Sequence, residues 1–337
     1  MRNKSLFKDF YSIITFVISG AICAGLIFLL YNKHLNTLGF EENLKKLTSI
    51  YIGISGFLSA ILMVFLATSA MNQKTYKAKI IHKISKTTQK MHNFRTIAEI
   101  LFKSEIWLPG LKDYMEKDFA NLSYFDVKEF YKGKSKLAIE FLQETHHFGE
   151  TENLYMELKS LLMIDPKEKQ IPETINYPIF YKNDIIEKWV EHKSGSGLWY
   201  VFGYKFGNYK ESLNFEAVFE RHREKILTLA NTIDNDIFEK SSFNDVFFSK
   251  LWEHLTKDVI PKLSQFQSHI DRKTPRLIYY LYIVFLLLMV FGVLVPITYL
   301  MLNFSVLAVI VSYSIVVSTI FYVAITFHIF LSKEVNR

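Results

Sequence analysis

"LIYYLYIVFLLLMVFGVLVPITYLMLNFSVLAVIVSYSIVVSTIFYVAITFHIFL", residues 277–331, contains no Lys, Arg, Asp or Glu. A helix rises ~1.5 Å per residue, so a hydrocarbon core of ~30 Å takes roughly 20 apolar residues. At 55 residues the stretch is too long for one crossing and the right length for two. A turn is predicted at Leu302–Ser305, where the Asn303 and Ser305 side chains can bond freed backbone groups. The spans are then 277–301 and 305–331, with a kink expected at Pro296.

The other end of the chain mirrors this. "FYSIITFVISGAICAGLIFLLY" (10–31) and "IYIGISGFLSAILMVFLATSAM" (50–71) read as two further spans. No A-x-A-like site follows the first, which reads as a retained anchor rather than a signal peptide. The expected fold class is an all-α membrane protein. Two transmembrane hairpins (1–71 and 277–337) flank a mainly helical cytoplasmic domain, 72–276, with one short β-hairpin.

Orientation follows from Lys and Arg near the span ends. Arg2, Lys4, Lys8, the run Lys74–Arg95, Arg272, Lys273, Arg276, Lys333 and Arg337 put fifteen basic residues on one side; Lys33, Lys45 and Lys46 put three on the other. Both termini and the middle domain are therefore expected in the cytoplasm. The net charge of +7 sits mostly in residues 71–98. Lys74, Lys77, Lys79, Lys83, Lys86 and Lys90 are expected to meet anionic headgroups, each gaining on the order of 1 kcal/mol. Aromatic residues that would stack bases are not interleaved with this stripe, which argues against nucleic acid.

No span carries a formal charge, which argues against a proton-coupled transporter or ion pump. Small residues at four-residue spacing, Gly20/Ala24 and Gly56/Ala60 with Ser312, suit close helix packing in lipid. They would serve span one against span two, or one copy against another in a homo-oligomer. A pore would need several copies, with Ser312, Ser318 and Thr319 facing the lumen.

In the middle domain, Ile80, Ile84, Thr87, Met91, Phe94, Ala98 and Leu101 alternate four and three apart. This seam predicts a helix continuing below the membrane over 72–103. A second amphipathic stretch, 243–271, kinked at Pro261, would pack antiparallel on it as a coiled-coil stalk. Helices are expected over 111–120, 125–145, 151–163, 183–193 and 213–240. In "GSGLWYVFGYKFGNY" (195–209), Leu198, Tyr200, Phe202, Tyr204 and Phe206 alternate, which predicts the β-hairpin. Trp199, Tyr200 and Tyr204 there are the candidate ligand or partner surface. Gly195 and Gly197 lack the third glycine and the Lys-Ser/Thr of nucleotide-binding loops.

Nothing nominates a catalytic centre, a cofactor or a metal. The single cysteine, Cys23, excludes an intrachain disulfide and a Cys-based zinc site. His146 and His147 are adjacent and point different ways on a helix. The layout is similar in kind to bacterial membrane effectors and sensors, including those of phage defence, by architecture alone. The function expected is an oligomeric, signal-responsive membrane effector or pore. An anchor or scaffold for a cytosolic protein and a membrane-bound enzyme are the alternatives.

Overall fold

The computed structural model describes residues 10–144, 148–270, 276–302 and 305–335. Arg2, Lys4, Lys8, His146, His147, Arg272, Lys273, Asn303 and Arg337 lie outside the described residues, as do the side chains of Arg276 and Lys333. The helices are α1 (Phe10–Asn36), α2 (Phe40–Lys103), α3 (Leu111–Lys117), α4 (Tyr124–Lys128), α5 (Lys136–Gln143), α6 (Thr151–Leu162) and α7 (Asn183–Glu191). They continue with α8 (Ser196–Tyr200), α9 (Phe206–Tyr209), α10 (Glu220–Ile233), α11 (Asn235–Phe238), α12 (Asp245–His254) and α13 (Ile260–Ile270). The last three are α14 (Arg276–Met289), α15 (Val295–Leu302) and α16 (Val306–Val335). The chain divides into two compact units, residues 1–75 with 273–337, and residues 76–272.

Among the described residues, four helical stretches are long and apolar enough to cross a membrane: Ile13–Asn36, Phe40–Lys103, which runs on into the second unit, Ile278–Leu302 and Val306–His328. The 32–49 loop expected from sequence is almost wholly helix. Only Thr37–Gly39 turns, with Gly39 at φ +81°, a conformation open to glycine. Lys33 and His34 in the last turn of α1, and Glu41 and Glu42 in the first turn of α2, complement the helix dipoles and extend both helices to the turn.

Helix α16 is the hub of this unit. Ser19 and Ser318 exchange hydroxyl-to-carbonyl bonds, 2.8 Å from Ser19 Oγ and 2.6 Å from Ser318 Oγ, and Phe16 meets Tyr322 edge-on. These pairs run α1 antiparallel along α16. Tyr313 donates to Thr48 at 2.7 Å, and Leu58 and Leu62 sit with Val316 and Val323, so α2 runs parallel to α16. Tyr299 packs with Leu44, while Tyr280 and Val284 pack beside Leu58 and Leu62, so α14–α15 run antiparallel to α2. The four directions alternate. The end of α2's apolar stretch, the start of α14 and the end of α16 therefore share one end of the bundle with the start of α1. The extensive partner of α1 is α16, where hairpin packing had pointed to α2.

Pro296 lacks the N–H that would reach back to the preceding turn. The helix answers by widening into a π turn, Val290–Leu294. The carbonyl of Phe291, five residues before Pro296, is taken instead by the Ser312 hydroxyl. A Cβ on Gly292 would lie 2.7 Å from Ser55 Cβ. Gly292→Ala is therefore expected to loosen α14–α15 from α2, at a cost of about 1–3 kcal/mol, and Ser55→Gly in the same chain to recover most of it. Thermal unfolding of the three proteins in one detergent reads both effects.

In the second unit the 80–101 seam is buried along its length. The Tyr76 hydroxyl meets His269 Nδ1 at 3.1 Å, Lys83 lies over Phe266, and Phe94 packs near Trp252. The stretch 76–94 of α2 thus runs antiparallel to α13 and α12. It is no coiled coil: Met91 to Leu101 enter a core shared with α6, α7 and α12, and a π turn, Leu255–Val259, precedes Pro261.

No strand occurs among the described residues, and the predicted β-hairpin is absent. Residues 196–209 form α8, a π turn (Val201–Lys205) and α9. The alternation misled because it set Tyr200 and Tyr204 on one face with Leu198 and Phe202. Leu198, Val201, Phe202 and Tyr209 are buried at helical spacing, while Tyr200 and Tyr204 face out. Two predicted helices are also broken. The 125–145 helix turns at Gly133 (φ +64°) and restarts where Ser135 accepts from the Ala138 N–H. The 213–240 helix begins only at Glu220, because Asn214 caps a separate 3-10 turn (Phe215–Ala217).

Candidate functional site

Helix α6 is the axis of the second unit: eleven of its twelve residues are buried, Glu152, Glu157 and Lys159 among them. A helix covered on all sides must satisfy its polar side chains from within the protein. Glu157 does so completely. Its Oε1 accepts from the N–H of Gly195 at 2.8 Å and of Gly197 at 3.1 Å, and from the Tyr124 hydroxyl at 3.2 Å. Its Oε2 accepts from the Leu198 N–H at 3.0 Å. The Gly195–Gly197 loop does hold an anion, and the anion is the chain's own carboxylate. A Cβ on Gly197 would stand 2.3 Å from Glu157 Oε2, which is why glycine sits there. Burial pushes the Glu157 carboxyl above its ordinary range, and the three amide donors and Lys128 pull it back. The same burial and the Glu157 charge push the Tyr124 phenol up.

Arg95 is equally buried, on α2, and its guanidinium meets only neutral acceptors. It donates to the carbonyls of Leu161 (2.9 Å), Leu162 (2.6 Å) and Asn176 (2.6 Å), and to the Tyr181 hydroxyl (3.3 Å). The first two are the last carbonyls of α6, so Arg95 caps that helix and offsets the negative end of its dipole. Arg95 thus leaves the surface stripe in which its sequence position had placed it.

The Glu157 clamp fixes α8 between two cavities. One, of about 370 Å³, is lined by Tyr124, Lys128, Glu150, Asn153, Tyr200 and Tyr209, among others. Lys128 Nζ lies 5.2 Å from the Tyr124 ring centroid, and the Tyr209 hydroxyl donates to Glu150 at 3.1 Å. The other, of about 340 Å³, takes Trp199 as a wall with Lys193, Thr256 and Lys257. Lys257 Nζ stands 4.2 Å over the Trp199 ring, a cation–π contact. The nominated trio is thus one group: Tyr204 lies 5.8 Å from Tyr200 and 6.1 Å from Trp199 by ring centroids. Aromatic faces beside lysines suit the binding of a flat or anionic ligand or an aromatic-rich peptide.

The other nominated residues are dispersed. Lys74, Lys77, Lys79, Lys83 and Lys86 are exposed, while Lys90 is half-buried, 3.7 Å from Asp234. Ser312 is buried and a Cβ on Gly56 would lie 4.0 Å from Val293 Cγ2, but Gly20, Ala24 and Ala60 are exposed in the single chain. In the single chain, Ser312 donates to the Phe291 carbonyl, Ser318 to the Ser19 carbonyl, and Thr319 to the Ile315 carbonyl one turn back on its own helix.

Glu129, Glu191 and His192 offer oxygen and nitrogen atoms within 4.8 Å of one another. A cation already occupies the place: Lys188 donates to Glu129, and Lys132 stands 3.1 Å away. Lys188 first, then Lys132 and His192, hold the Glu129 carboxyl down from 4.5 to about 2. A depressed carboxylate contributes stability above its unfolded value, lost as pH falls through the folded one. The second unit is therefore expected to weaken as pH drops from 4.5 toward 2, and Glu129→Gln to flatten that part of the profile. Urea midpoints across this window check it.

Comparison with family models, curated proteins and solved structures gives no match.

Proposed function

We propose that the chain is a multi-pass cell-membrane protein with the 76–272 unit and both termini in the cytoplasm, acting as an oligomeric, signal-responsive effector. The cytoplasmic unit receives a ligand or protein partner at the Tyr200 cavity, and the response passes along α2 to the membrane spans. The observation that supports this best is α2 itself. It is one 64-residue helix that supplies an apolar membrane stretch and, through Ile84 to Leu101, part of the core of the cytoplasmic unit. The 18-residue apolar windows of α1 and α2 are only 11% buried, which leaves their faces for lipid or for further copies. Gly20 and Ala24 lie on such a face and would form the copy-to-copy contact. Oligomers of this kind disturb the bilayer, by opening a path or by thinning it. Induced expression with a potential-sensitive dye tests the effector. Depolarisation that Gly20→Leu abolishes supports it; an unchanged potential under every stimulus, with a monomer in mild detergent, contradicts it.

A second reading is favoured by Tyr204, which is 70% exposed at the tip of the aromatic group. The protein would then hold a cytosolic partner at the membrane. Affinity capture with wild type and with Tyr200→Ala/Tyr204→Ala separates the two readings: a partner lost only from the double variant, with no change in potential, marks a scaffold.

A further inference from the structure

Away from the α8 cavities, Lys159 presents a different problem. It lies on α6 two positions after Glu157 and therefore on a different face, and the residue is 6% exposed. Unlike Glu157 and Arg95, its ammonium makes no hydrogen bond or ion pair with a described residue. It lines a cavity of about 310 Å³ together with Phe102, Glu116, Ala120, Gln170 and Ile171. A buried ammonium without a counter-charge is expensive. Burial accordingly lowers the Lys159 pKa, and the charge of Glu116 opposes that drop. Glu116 is held by the Tyr155 hydroxyl, which donates to its Oε1 at 3.0 Å. The two opposite charges therefore share one cavity and are not paired with each other within salt-bridge distance.

A cavity that sets a cation and an anion apart is complementary to a molecule that carries both in the opposite order. We infer that this cavity is a binding site for a small zwitterion of the free amino-acid type. The ligand carboxylate would meet Lys159, and its ammonium would meet Glu116. The Gln170 amide borders the same cavity, and Phe102, Ala120 and Ile171 give an apolar wall for a side chain. The site lies within the second unit and does not depend on the membrane reading above.

Calorimetric titration of the full chain in nanodiscs tests this, with each proteinogenic amino acid as probe. For the best binder, its amide lacks the carboxylate and its N-acetyl form lacks the ammonium. Saturable heat is expected from at least one amino acid, weakened about tenfold or more in either derivative: the amide leaves the buried Lys159 ammonium without its counter-charge, and the N-acetyl form gives up the charge-assisted contact to Glu116. Lys159→Met keeps the stem and removes the charge, so it should fold at least as stably as wild type and bind nothing. Should that variant fail to fold, Glu116→Gln, at an exposed position, is expected to weaken binding about tenfold on the same reasoning. No saturable heat from any amino acid, equal heat from the N-acetyl form, or binding unchanged by these variants would overturn the site.

Discussion

Glu157→Ala is expected to cost the 76–272 unit on the order of 4 kcal/mol, because it strands two buried amide donors, a half-buried third and a phenol at ~1–3 kcal/mol each, partly relieved by water. That is a large share of the ~5–15 kcal/mol of a typical domain. All four tryptophans, Trp107, Trp189, Trp199 and Trp252, lie within this unit, so tryptophan fluorescence during urea unfolding reports on it alone. Glu157→Gln keeps the shape but turns an NH₂ group toward N–H donors, and should recover only a minor part. Gly197→Ala drives a methyl onto the same carboxylate and should mimic the loss. A wild-type midpoint for Glu157→Ala would show that the clamp does not organise α8.

Arg95→Met carries the second-largest effect, about 3 kcal/mol, since three carbonyls that it bonds lose their donor. Arg95→Lys should restore little, because one ammonium cannot serve acceptors set around a planar fork. Lys86→Ala, nine residues earlier on the same helix but exposed, is the control and should leave the midpoint unchanged. Equal midpoints for Arg95→Met and Lys86→Ala would remove the cap from the account.

The four long apolar helices were legible because apolar length is a one-dimensional signal: residues 277–331 announce two of them without any knowledge of contacts. The 80–101 seam was legible for a similar reason, since four-and-three spacing states which side is covered. What the seam could not state was its depth. Arg95 sits between Phe94 and Ile97 and reads as one more juxtamembrane charge, although its acceptors come from residues 161–181. Residues 195–209 failed because a run of aromatics satisfies period two and period 3.6 at once. The tie was broken by Glu157, 38 residues before Gly195, whose carboxylate holds the loop as the start of a helix. A signal was present: "LYMELKSLLM" places Glu157 and Lys159 inside a run that is otherwise apolar but for Ser160. The pairing of α1 with α16 left only the serines 19 and 318, ordinary residues at 299 positions' separation.

Cysteine labelling tests the central claim most directly, because the chain has one native cysteine to remove. In a Cys23→Ser background, Leu38→Cys, in the turn between α1 and α2, is expected to react with a membrane-impermeant maleimide added to intact cells. Lys193→Cys, in the second unit, is expected to react only after the cells are opened. Labelling of Lys193→Cys in intact cells, or protection of Leu38→Cys until lysis, would contradict four crossings with the 76–272 unit inside.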